Sequence, residues 1–576
     1  MSFWKNSKKP RRKKTASPAR DLVSKSNMMY LVILGVWLVS LVWLGINASS
    51  IYKMPDSIAL WILAILAAIC LAIFWFYALY HYGLVLFRQI GKTKHGEEKG
   101  KWEEGEAGFP SIALLYTTVD DFRYDAALSC VNQDYPNFHV FIVDVSQSQQ
   151  GRERVDEFHR SFTQKTTIVR RESLEGFKAR SLNLALANQA RGYEFFGLCD
   201  ADGLLPNNFL KQTSLYIQED ERIGFVQANH DSGSSTRNAF TEHFLKETSI
   251  RWEHNNVPRN HYGLPLMLGH GVLVRTQAYS RAGGFPEVVA EDIAFTIALR
   301  RAGYTGFFAE DIVCSEGFPE NLGQLRKRTY RMTMGDTETF VQHTVPFIKS
   351  TKATFAEKWD IIAHTLRRTG SSLFLPYLLL LLVISLISAE SSTTIPWGLM
   401  AFGLLALASP LARVIVCRYR TPIKMFRHLS QVTNVYISFC MHSTVAILAF
   451  TLARRAHFIV TGAKAGEERG RRQGFRESIA RLNPNSKAMV SASIIVSLLF
   501  LAVAVYTSNI GLSGIAVAMV SPILQDGLGW KHKAAEATAW LALTLIFFGA
   551  VLGPLGVIGP HWQYLIPAGF SVVIRT

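Results

Sequence analysis

Two aspartates separated by a single residue follow an apolar run in the segment FFGLCDADG. Alternate residues of an extended chain point to the same side, so Asp200 and Asp202 can present two carboxylates to one divalent cation. Mg²⁺ or Mn²⁺ held in this way can bridge the phosphates of a diphosphate, which is the chemistry that this spacing favours. An isolated pair of this kind is more often a solvated turn, so the metal site needs support from the surrounding sequence.

Acidic residues also end two earlier runs that are typical of strands. Thr117 and Asp121 lie in YTTVDD, and Asp144 lies in FIVDV. Ligands of parallel sheets bind at the carboxyl ends of the strands, where carboxylates can accept hydrogen bonds from a base and a ribose. We therefore predict that four residues contact a bound nucleotide: Thr117, Asp121, Asp144 and Asp200.

A basic pair precedes a helical pattern in the segment FKARSLNLALANQAR. The N-terminus of a helix attracts phosphate through its free N–H groups, and Lys178 and Arg180 would add positive charge at the same place. These two residues are predicted to contact the diphosphate. A solvated basic patch explains them equally well when they are considered alone.

A further acidic pair, Glu291-Asp292, begins an amphipathic helical pattern in AEDIAFTIALRRAGY. The helix dipole favours the ionised carboxylate at this end, and a general base has to be ionised. We predict that Asp292 is the base with Glu291 beside it, and ordinary helix capping is the alternative. Gly269 and His270 lie in the turn LGHGVLVR, where an acceptor could approach the backbone closely, although His270 can equally have a structural role.

The elements that position these residues are predicted to form an α/β domain between residues 105 and 350. Short β-rich runs such as SIALLYTTV, HVFIVDV and FFGLCDAD alternate with helical patterns, which indicates βα units and a mostly parallel sheet. In such a sheet the acidic residues that follow the strands share one edge, so the predicted site residues would lie close together.

Apolar runs on both sides of this domain are long enough to cross a bilayer. We predict two transmembrane helices in 28–88, two in 371–417 and further ones in 488–576. Residues 351–370 are predicted to form an interfacial helix, and 418–487 to contain interfacial helices and a loop in the cytoplasm. The basic tail 1–27 precedes the first helix, which places this tail and the α/β domain in the cytoplasm by the positive-inside rule.

The distribution of charge also bears on the placement of one apolar segment. The segment 429–453 is apolar enough to cross the membrane, but the basic stretch 454–487 would then lie outside, so we prefer an in-plane helix.

Much of the formal charge of +17 flanks membrane segments, which argues against nucleic-acid binding. The six cysteines are far apart and form no CxxC pair, so we expect free thiols and no structural zinc.

Taken in order, these segments resemble the family-2 glycosyltransferases of the GT-A fold, particularly the membrane-embedded cellulose, curdlan and hyaluronan synthases. KARSLN resembles the family's KAGxLN segment, DAD its metal-binding triplet, and Ala290-Glu291-Asp292 its TED motif. The resemblance implies a GT-A domain inserted between transmembrane helices and an inverting transfer of sugar from a UDP-sugar. It also implies the roles of individual residues: nucleotide binding by Asp121 and Asp144, binding of Mg²⁺ or Mn²⁺ by Asp202 with Asp200, and proton removal by Asp292.

The segment FIVTGAK is similar to the FxVTxK gating loop of cellulose-synthase-like enzymes, with one extra residue before the lysine. The matching residues are Phe458, Val460, Thr461 and Lys464. They lie in the stretch that the charge pattern already places in the cytoplasm. The alternative is a basic loop beside an interfacial helix.

The family's QxxRW motif, whose tryptophan helps hold the acceptor sugar, has no intact copy in this sequence. A register that starts at Gln324 ends in lysine and arginine. A register counted back from Gly335 places Arg328, Arg331 and Met332 at the Gln, Arg and Trp positions, and we prefer it because the glycine is correctly spaced. These three residues are the predicted acceptor-binding residues, and the missing aromatic leaves product length open.

The resemblance implies a multi-pass enzyme of the bacterial inner membrane that builds a polysaccharide, such as an exopolysaccharide, and moves it across the membrane. The implied partners are a UDP-sugar donor, a glycan or lipid-linked acceptor, the lipid bilayer and possible accessory export subunits, with no nucleic acid. Two alternatives stay open: transfer of a single sugar to a lipid-linked acceptor, and a non-catalytic regulatory subunit that binds a nucleotide-sugar. The altered QxxRW favours the first, whereas DAD and Glu291-Asp292 argue against the second.

Overall fold

The computed structural model describes residues 26–46, 57–90, 109–233, 238, 240–241, 244, 254–387, 421–454, 456, 483–506, 510–530 and 532–551. Several predictions fall wholly or partly outside these ranges: those on the basic tail, on parts of 371–417 and 488–576, and on the gating loop with Phe458, Val460, Thr461 and Lys464. They stay predictions.

Seven strands form the sheet of the α/β domain, in the order β3-β2-β1-β4-β6-β5-β7. Their bounds are β1 Ile112–Thr118, β2 Phe138–Asp144, β3 Thr166–Arg170, β4 Phe195–Asp200, β5 Ile223–Asp231, β6 Val272–Arg275 and β7 Thr305–Ser315. Strand β6 runs antiparallel to β4 and β5, and the other neighbouring pairs are parallel. The prediction of a mostly parallel α/β sheet is therefore confirmed.

Helices cover both faces of this sheet, which is why its strands are apolar runs without polar alternation. Along β1, Leu114 and Tyr116 pack into one apolar core, whereas Ala113 and Leu115 pack into the core on the other face. The helices of the domain are Tyr124–Val131, Gln149–Ser161, Phe177–Ala187, Phe209–Glu219, Arg259–Tyr262, Thr276–Ala282, Glu291–Ala302, Leu322–Thr339 and Val345–Ile348, with a π-helical turn at Phe340–Thr344.

The helices outside this domain are Met28–Ile46, Ile58–Ile90, Phe355–Ser372, Phe374–Ile387, Pro422–Ser438, Cys440–Ala453, Lys487–Tyr506, Ile510–Leu528 and Lys533–Val551. Within the described ranges, four elements are long and apolar enough to cross a membrane: Ile58–Ile90, Pro422–Ala453, Lys487–Tyr506 and Ile510–Leu528. A fifth results if Phe355–Ser372 and Phe374–Ile384, which meet at a 45° bend, form one span. The chain thus has the helices of a membrane-associated protein. The in-plane helix predicted at 429–453 belongs to Pro422–Ala453, whose length and composition suit either placement.

A buried ion pair joins the α/β domain to the neighbouring helices. Nε of Arg259 lies 3.1 and 2.9 Å from the two carboxylate oxygens of Asp360, and these side chains are only 2% and 1% exposed. The hydroxyl groups of Tyr30 and Tyr80 and the backbone N–H of Leu264 donate to the same carboxylate. Segments that are far apart in the sequence therefore meet at Asp360.

Candidate active site

The carboxyl ends of β1 and β4 bring Thr117 beside Asp200. The two residues are partners across the parallel strands, and the hydroxyl group of Thr117 donates to Oδ1 of Asp200 at 2.8 Å. Lys178, in the first turn of the helix Phe177–Ala187, forms an ion pair with the same oxygen. The strand and the helix together fix the orientation of this carboxylate.

Lys178 also links Asp200 to the turn that carries Gly269. Its Nζ donates to the carbonyl oxygen of Gly269 at 2.8 Å. Gly269 has a φ of +82°, a conformation that favours glycine, and a Cβ atom at this position would lie 3.6 Å from Oδ2 of Asp292. The predicted metal ligand, phosphate-binding lysine, acceptor turn and base therefore lie at one place.

Asp292 lies in the first turn of the helix Glu291–Ala302. Its Oδ1 accepts a hydrogen bond from the backbone N–H of Ile293 at 2.8 Å. Burial raises the pKa of Asp292 to about 6, because this N–H and the charge of Lys178 only partly offset the loss of water. Burial also raises the pKa of Glu291 to about 7. A carboxylate that is ionised near neutral pH yet has a raised pKa is suited to accepting a proton.

Asp202 lies near two other carboxylates. Enclosure by protein atoms, and then the negative charges of Glu316 and Asp200, raise the pKa of Asp202 to about 7, although part of the residue stays exposed. Arg328 acts in the opposite direction and lies 3.5 Å from Glu316. The effects of Glu316 and Asp200 on this pKa each exceed the opposing effect of Arg328, and such a group of carboxylates favours a bound cation.

The ring of His270 lies against the glycine that follows the DAD triplet. A Cβ atom at Gly203 would be only 2.2 Å from Cε1 of His270, so no side chain fits there unless the ring moves. Nδ1 of His270 accepts a hydrogen bond from the backbone N–H of Asp200 at 3.3 Å. Burial, followed by the charge of His230, lowers the pKa of His270 to about 4, which keeps the ring neutral. His270 therefore contacts the backbone of the triplet, and its role in acceptor binding stays a prediction.

Two further polar residues, which were not predicted from the sequence, lie beside His270 and Arg328. His230, near the end of β5, contacts Glu316 through Nδ1 at 3.1 Å and the carbonyl oxygen of His270 through Nε2 at 3.0 Å. Burial opposes ionisation of Glu316, but the hydrogen bond from His230 and the charge of Arg328 lower its pKa to about 2. Glu316 directly follows β7, so the criterion that selected Asp200, an acidic residue at a strand end, could have found it.

The helix Leu322–Thr339 places two arginines beside the acidic residues. Arg328 contacts Glu316. Arg331 lies within electrostatic range of three carboxylates, those of Glu291, Asp202 and Asp200. One turn later, a Cβ atom at Gly335 would lie 3.3 Å from Cβ of Ala290, so the glycine allows the helix to approach the start of Glu291–Ala302. This close packing favours the register counted back from Gly335.

Met332, at the position of the family's tryptophan, contacts Arg368, whose guanidinium lies 3.3 Å from the methionine sulfur. Arg368 also forms an ion pair with the buried Asp336. The charge of Asp336 in turn contributes to the raised pKa of Asp292. The position predicted to bind the acceptor is therefore connected to the predicted base through two charged side chains.

Two of the predicted nucleotide-binding residues have other partners. Asp144 is fully buried and forms an ion pair with Arg170 at 2.8 Å. Arg180 forms ion pairs with Glu175 at 3.1 Å and with Glu287 at 3.2 Å, and not with Asp200. Contacts between these two residues and a nucleotide would require an exchange of partners.

Asp121 stays at the exposed edge of the sheet. Its Oδ1 accepts hydrogen bonds from the hydroxyl group of Thr118 at 2.9 Å and from the backbone N–H of Val119 at 2.7 Å. The neighbouring Asp120, with a φ of +60°, accepts the backbone N–H of Ser148 at 2.9 Å, the residue that caps the N-terminus of the helix Gln149–Ser161. Both members of this acidic pair are exposed, so a ligand can reach the predicted nucleotide-binding residue Asp121.

Asp200 and Asp202 are suitable ligands for a hard divalent cation. Mg²⁺ and Mn²⁺ prefer carboxylate oxygens, and the charge of such an ion would offset the negative charge around Asp202. Across the described ranges, no group of three or more His, Cys, Asp or Glu side chains could enclose a metal. A cation here would take its remaining ligands from a diphosphate and water, as Mg²⁺ commonly does.

Glu338 connects the predicted base to the entrance of the predicted gating loop. This side chain is 3% exposed, and its two oxygens accept the backbone N–H groups of Val289 at 3.2 Å and of Ala456 at 3.3 Å. Val289 precedes Glu291 by two positions, and Ala456 precedes Phe458 by two positions. The residue that leads into the loop is thus tied to the segment that leads into the helix with Asp292.

Known proteins are similar to this chain. Residues 196–412 match the family model described as Glycosyl transferase family group 2, a region that includes Asp200, Asp202, Asp292 and Arg331. Glucomannan 4-beta-mannosyltransferase 1 of Cyamopsis tetragonoloba is 24% identical over 276 residues, which are 46% of this chain and 52% of that protein. The chain therefore spans about half the length of this curated relative.

Two solved structures are similar at low identity. The mannosyltransferase PcManGT of Pyrobaculum calidifontis, in complex with GDP-Man and Mn²⁺, is 18% identical with a TM-score of 0.43, and the match covers 67% of this chain and 99% of that one. TarS 1-349 of S. aureus, in complex with UDP, is 15% identical with a TM-score of 0.32, and the match covers 61% and 94%. The α/β domain, with its mixed and mostly parallel sheet of seven strands, has a GT-A-like glycosyltransferase fold.

Proposed function

We propose that this protein transfers a sugar from a nucleotide-sugar, which the sequence resemblance makes a UDP-sugar, to a hydroxyl group of a growing glycan, with inversion at the anomeric carbon. One observation carries the proposal: Lys178 joins the carboxylate of Asp200 to the carbonyl oxygen of Gly269, beside Asp292. This arrangement supports diphosphate binding and proton removal at neighbouring points, which a sugar transfer requires.

In this mechanism Asp292 accepts the proton of the acceptor hydroxyl as its oxygen attacks the anomeric carbon. The bond between that carbon and the diphosphate breaks, and no covalent enzyme intermediate forms. Lys178 and Arg331 place positive charge near the leaving diphosphate. Asp200 and Asp202 would hold Mg²⁺ or Mn²⁺, which neutralises charge on the diphosphate when it is bound. Asp121 would contact the base or the ribose.

Buried polar side chains on helices outside the GT-A-like domain favour a polymer as the product. Gln431 and Asn434, on Pro422–Ser438, and Gln525, on Ile510–Leu528, are at most 1% exposed. In the described part of the chain, both polar atoms of the Gln431 amide, Oδ1 of Asn434 and Oε1 of Gln525 lack a hydrogen-bond partner. Buried polar groups are seldom left unpaired, so water or a hydroxyl-rich glycan would be a suitable partner. These residues support passage of the product between the helices.

The altered acceptor motif supports a second candidate, the transfer of one sugar to a lipid-linked acceptor. Tryptophan offers a flat face to a sugar ring, whereas the thioether of Met332 does not. A non-catalytic subunit that binds a nucleotide-sugar is the third candidate. The raised pKa of Asp292 argues against it, because pKa values perturbed in this way cluster at catalytic sites.

We place the GT-A-like domain in the cytoplasm and the helices in a bacterial inner membrane. The basic residues between Lys5 and Lys25 support this orientation through the positive-inside rule. The loop with Phe458, Thr461 and Lys464 would then close over bound nucleotide. Accessory subunits for export would meet the opposite side of the membrane.

A donor panel with product sizing tests the proposal. Detergent-purified full-length protein is incubated with Mg²⁺ or Mn²⁺ and either several UDP-sugars or GDP-mannose, because the Cyamopsis tetragonoloba relative is named a mannosyltransferase. We expect one donor to release nucleotide and to give a product of many sugar units. A single sugar on a lipid would select the second candidate. Nucleotide-sugar binding without any release would select the third.

A further inference from the structure

An open depression with only basic, hydroxyl and proline side chains lies at the end of the helix Glu291–Ala302 that is opposite to Asp292. Its volume is about 370 Å³, and its lining residues are Arg301, Pro346, Lys349, Ser350, Thr351 and Lys352. Three cations and two hydroxyl groups without an acidic residue form an environment that attracts a phosphate.

The positive charges in this depression are not balanced by nearby carboxylates. Within the described ranges, Arg301, Lys349 and Lys352 form no ion pair. The nearby Glu357 is fully buried, and its oxygens are taken by Arg300 at 2.9 Å and by the backbone N–H of Thr354 at 2.8 Å. A bound anion would therefore meet positive charge that the protein itself leaves free.

Exposed apolar side chains lie close in sequence to the residues that line the depression. Val341, Val345, Ile348 and Phe355 are 55%, 45%, 38% and 41% exposed, although they are large and hydrophobic. Exposed apolar residues next to basic ones are typical of a surface that lies at the boundary between lipid headgroups and acyl chains. A soluble phosphate compound would use the cations but would not cover these apolar side chains.

The depression also lies where the chain approaches the membrane. Ala356, four residues after Lys352, donates its backbone N–H to Oδ1 of Asn27 at 3.0 Å. Asn27 directly precedes the apolar helix Met28–Ile46, which is predicted to be the first membrane helix. The basic residues therefore lie close to the point at which that helix would enter the bilayer.

This place is distinct from the proposed active site. The helix Glu291–Ala302 has 12 residues, which corresponds to a length of about 18 Å. Arg301 lies in its last turn and Asp292 in its first turn. Nine residues separate them, about 14 Å along the helix axis, so a phosphate held by Arg301 lies well away from the hydroxyl group that Asp292 would deprotonate.

We propose that Arg301, Lys349 and Lys352, with the hydroxyl groups of Ser350 and Thr351, bind the phosphate of an anionic phospholipid in the leaflet that faces the GT-A-like domain. The adjoining apolar side chains rest on the acyl chains of the same lipid. Lys352 also donates to the carbonyl oxygen of Ala302 at 3.3 Å, so the lipid contacts the end of the helix that carries the predicted base.

A lipid titration tests the proposal. The full-length protein in neutral detergent is titrated with dioctanoyl-phosphatidylglycerol, dioctanoyl-phosphatidylcholine or inorganic phosphate, and its melting temperature is followed. A ligand that binds the folded state raises the melting temperature by an amount that grows with the ratio of its concentration to its Kd. We expect phosphatidylglycerol to stabilise the wild-type protein at concentrations at which phosphatidylcholine and inorganic phosphate have little effect.

The variant R301Q/K349Q should weaken this lipid effect by at least about tenfold, because each basic residue near an anionic lipid contributes noticeably to binding. Lys352 is left intact because it also binds Ala302. The matched control R154Q/R191Q removes two exposed arginines elsewhere on the domain and should behave like the wild-type protein. The single variant K349E, at one exposed position, provides a second test and should also lose affinity.

Three results would overturn the proposal. The first is equal stabilisation of wild type and R301Q/K349Q by phosphatidylglycerol. The second is equal stabilisation by phosphatidylcholine, which would remove the role of the anionic headgroup. The third is an equal effect of inorganic phosphate at the same concentration, which would assign the depression to a soluble anion. None of these readouts depends on sugar transfer, so they do not depend on the proposed function.

Discussion

Two clusters of charged residues in this protein differ in how completely their partners satisfy them. At the junction with the neighbouring helices, both oxygens of Asp360 accept hydrogen bonds, and Arg259 balances its charge. At the sheet edge, burial and neighbouring carboxylates raise the pKa of Asp202 to about 7, and burial raises that of Asp292 to about 6. The first cluster is complete without a ligand, whereas the second has negative charge that a cation would offset. This difference distinguishes a structural ion pair from a site that can bind a cation and accept a proton.

Removing the charge of Asp360 from the first cluster should have the largest effect, a loss of stability. Asp360→Asn leaves Arg259 buried without a counter-charge, so the free energy of unfolding should fall by about 3–5 kcal/mol. Thermal unfolding of the full-length protein in detergent measures the loss. Asp311→Asn, at an exposed residue, is the control and should change stability by less than about 0.5 kcal/mol. Equal melting temperatures for Asp360→Asn and the wild-type protein would contradict the structural role.

Substitutions in the second cluster, at the sheet edge, should lower the rate of sugar transfer. Lys178→Gln removes the cation that binds Asp200, and we expect kcat/KM to fall by roughly 10²–10³-fold because charge on the diphosphate is no longer offset. Arg180→Gln is the matched control on the same helix. Because Arg180 already pairs with Glu175 and Glu287, its loss should change kcat/KM by less than about threefold. Nucleotide release measures both, and equal losses would mean that Arg180 leaves its glutamates to bind the ligand.

A smaller effect is expected from the glycine beside His270. Gly203→Ala places a methyl group against the ring, displaces the DAD triplet and should lower kcat by about tenfold to a hundredfold. His270→Ala removes the ring, so the double variant G203A/H270A should be no less active than H270A alone. Additive losses in this double-mutant cycle would show that the glycine acts through something other than the histidine.

Activity and stability should depend on pH in opposite directions through the carboxylate of Asp292. Since the pKa of Asp292 is about 6 and only its ionised form can accept a proton, kcat/KM should fall as the pH drops below about 6. The same raised pKa has the opposite effect on stability: protonation is favoured in the folded state, so the contribution of Asp292 is greatest at low pH and is lost as the pH rises to about 6. A pH–rate profile with parallel melting curves measures both. Activity that stays constant down to pH 4.5 would contradict this assignment.

The local pattern of the sequence was sufficient to predict which residues lie at the edge of the sheet that carries the site. Apolar runs that end in acidic residues predicted β1, β2 and β4, and the parallel arrangement then brought Thr117 beside Asp200. The helical patterns after KAR and AED placed Lys178 and Asp292 in first turns. Each of these predictions depends on residues that are adjacent in the chain, where periodicity and helix-start signals are informative.

The partners of charged residues could not be predicted in the same way. Arg180 contacts Glu287, and His230 contacts Glu316, across separations of 107 and 86 residues. The antiparallel insertion of β6 between β4 and β5 also depends on tertiary packing. Such pairings are set by which elements become neighbours in the fold, and a single sequence contains no periodic signal for them. For this reason Arg180 was predicted to contact the diphosphate, although its partners are Glu175 and Glu287.

The central claim is that Asp292 removes a proton during transfer from a nucleotide-sugar. The direct test is nucleotide release by detergent-purified wild type, Asp292→Asn and the control Glu287→Gln, which removes one negative charge from a nearby surface position. We expect Asp292→Asn to keep nucleotide-sugar binding while its rate of release falls by about 10²–10⁴-fold, and Glu287→Gln to remain close to wild type. Release by Asp292→Asn at the wild-type rate would contradict the account, because the proposed base would then not take part in the reaction.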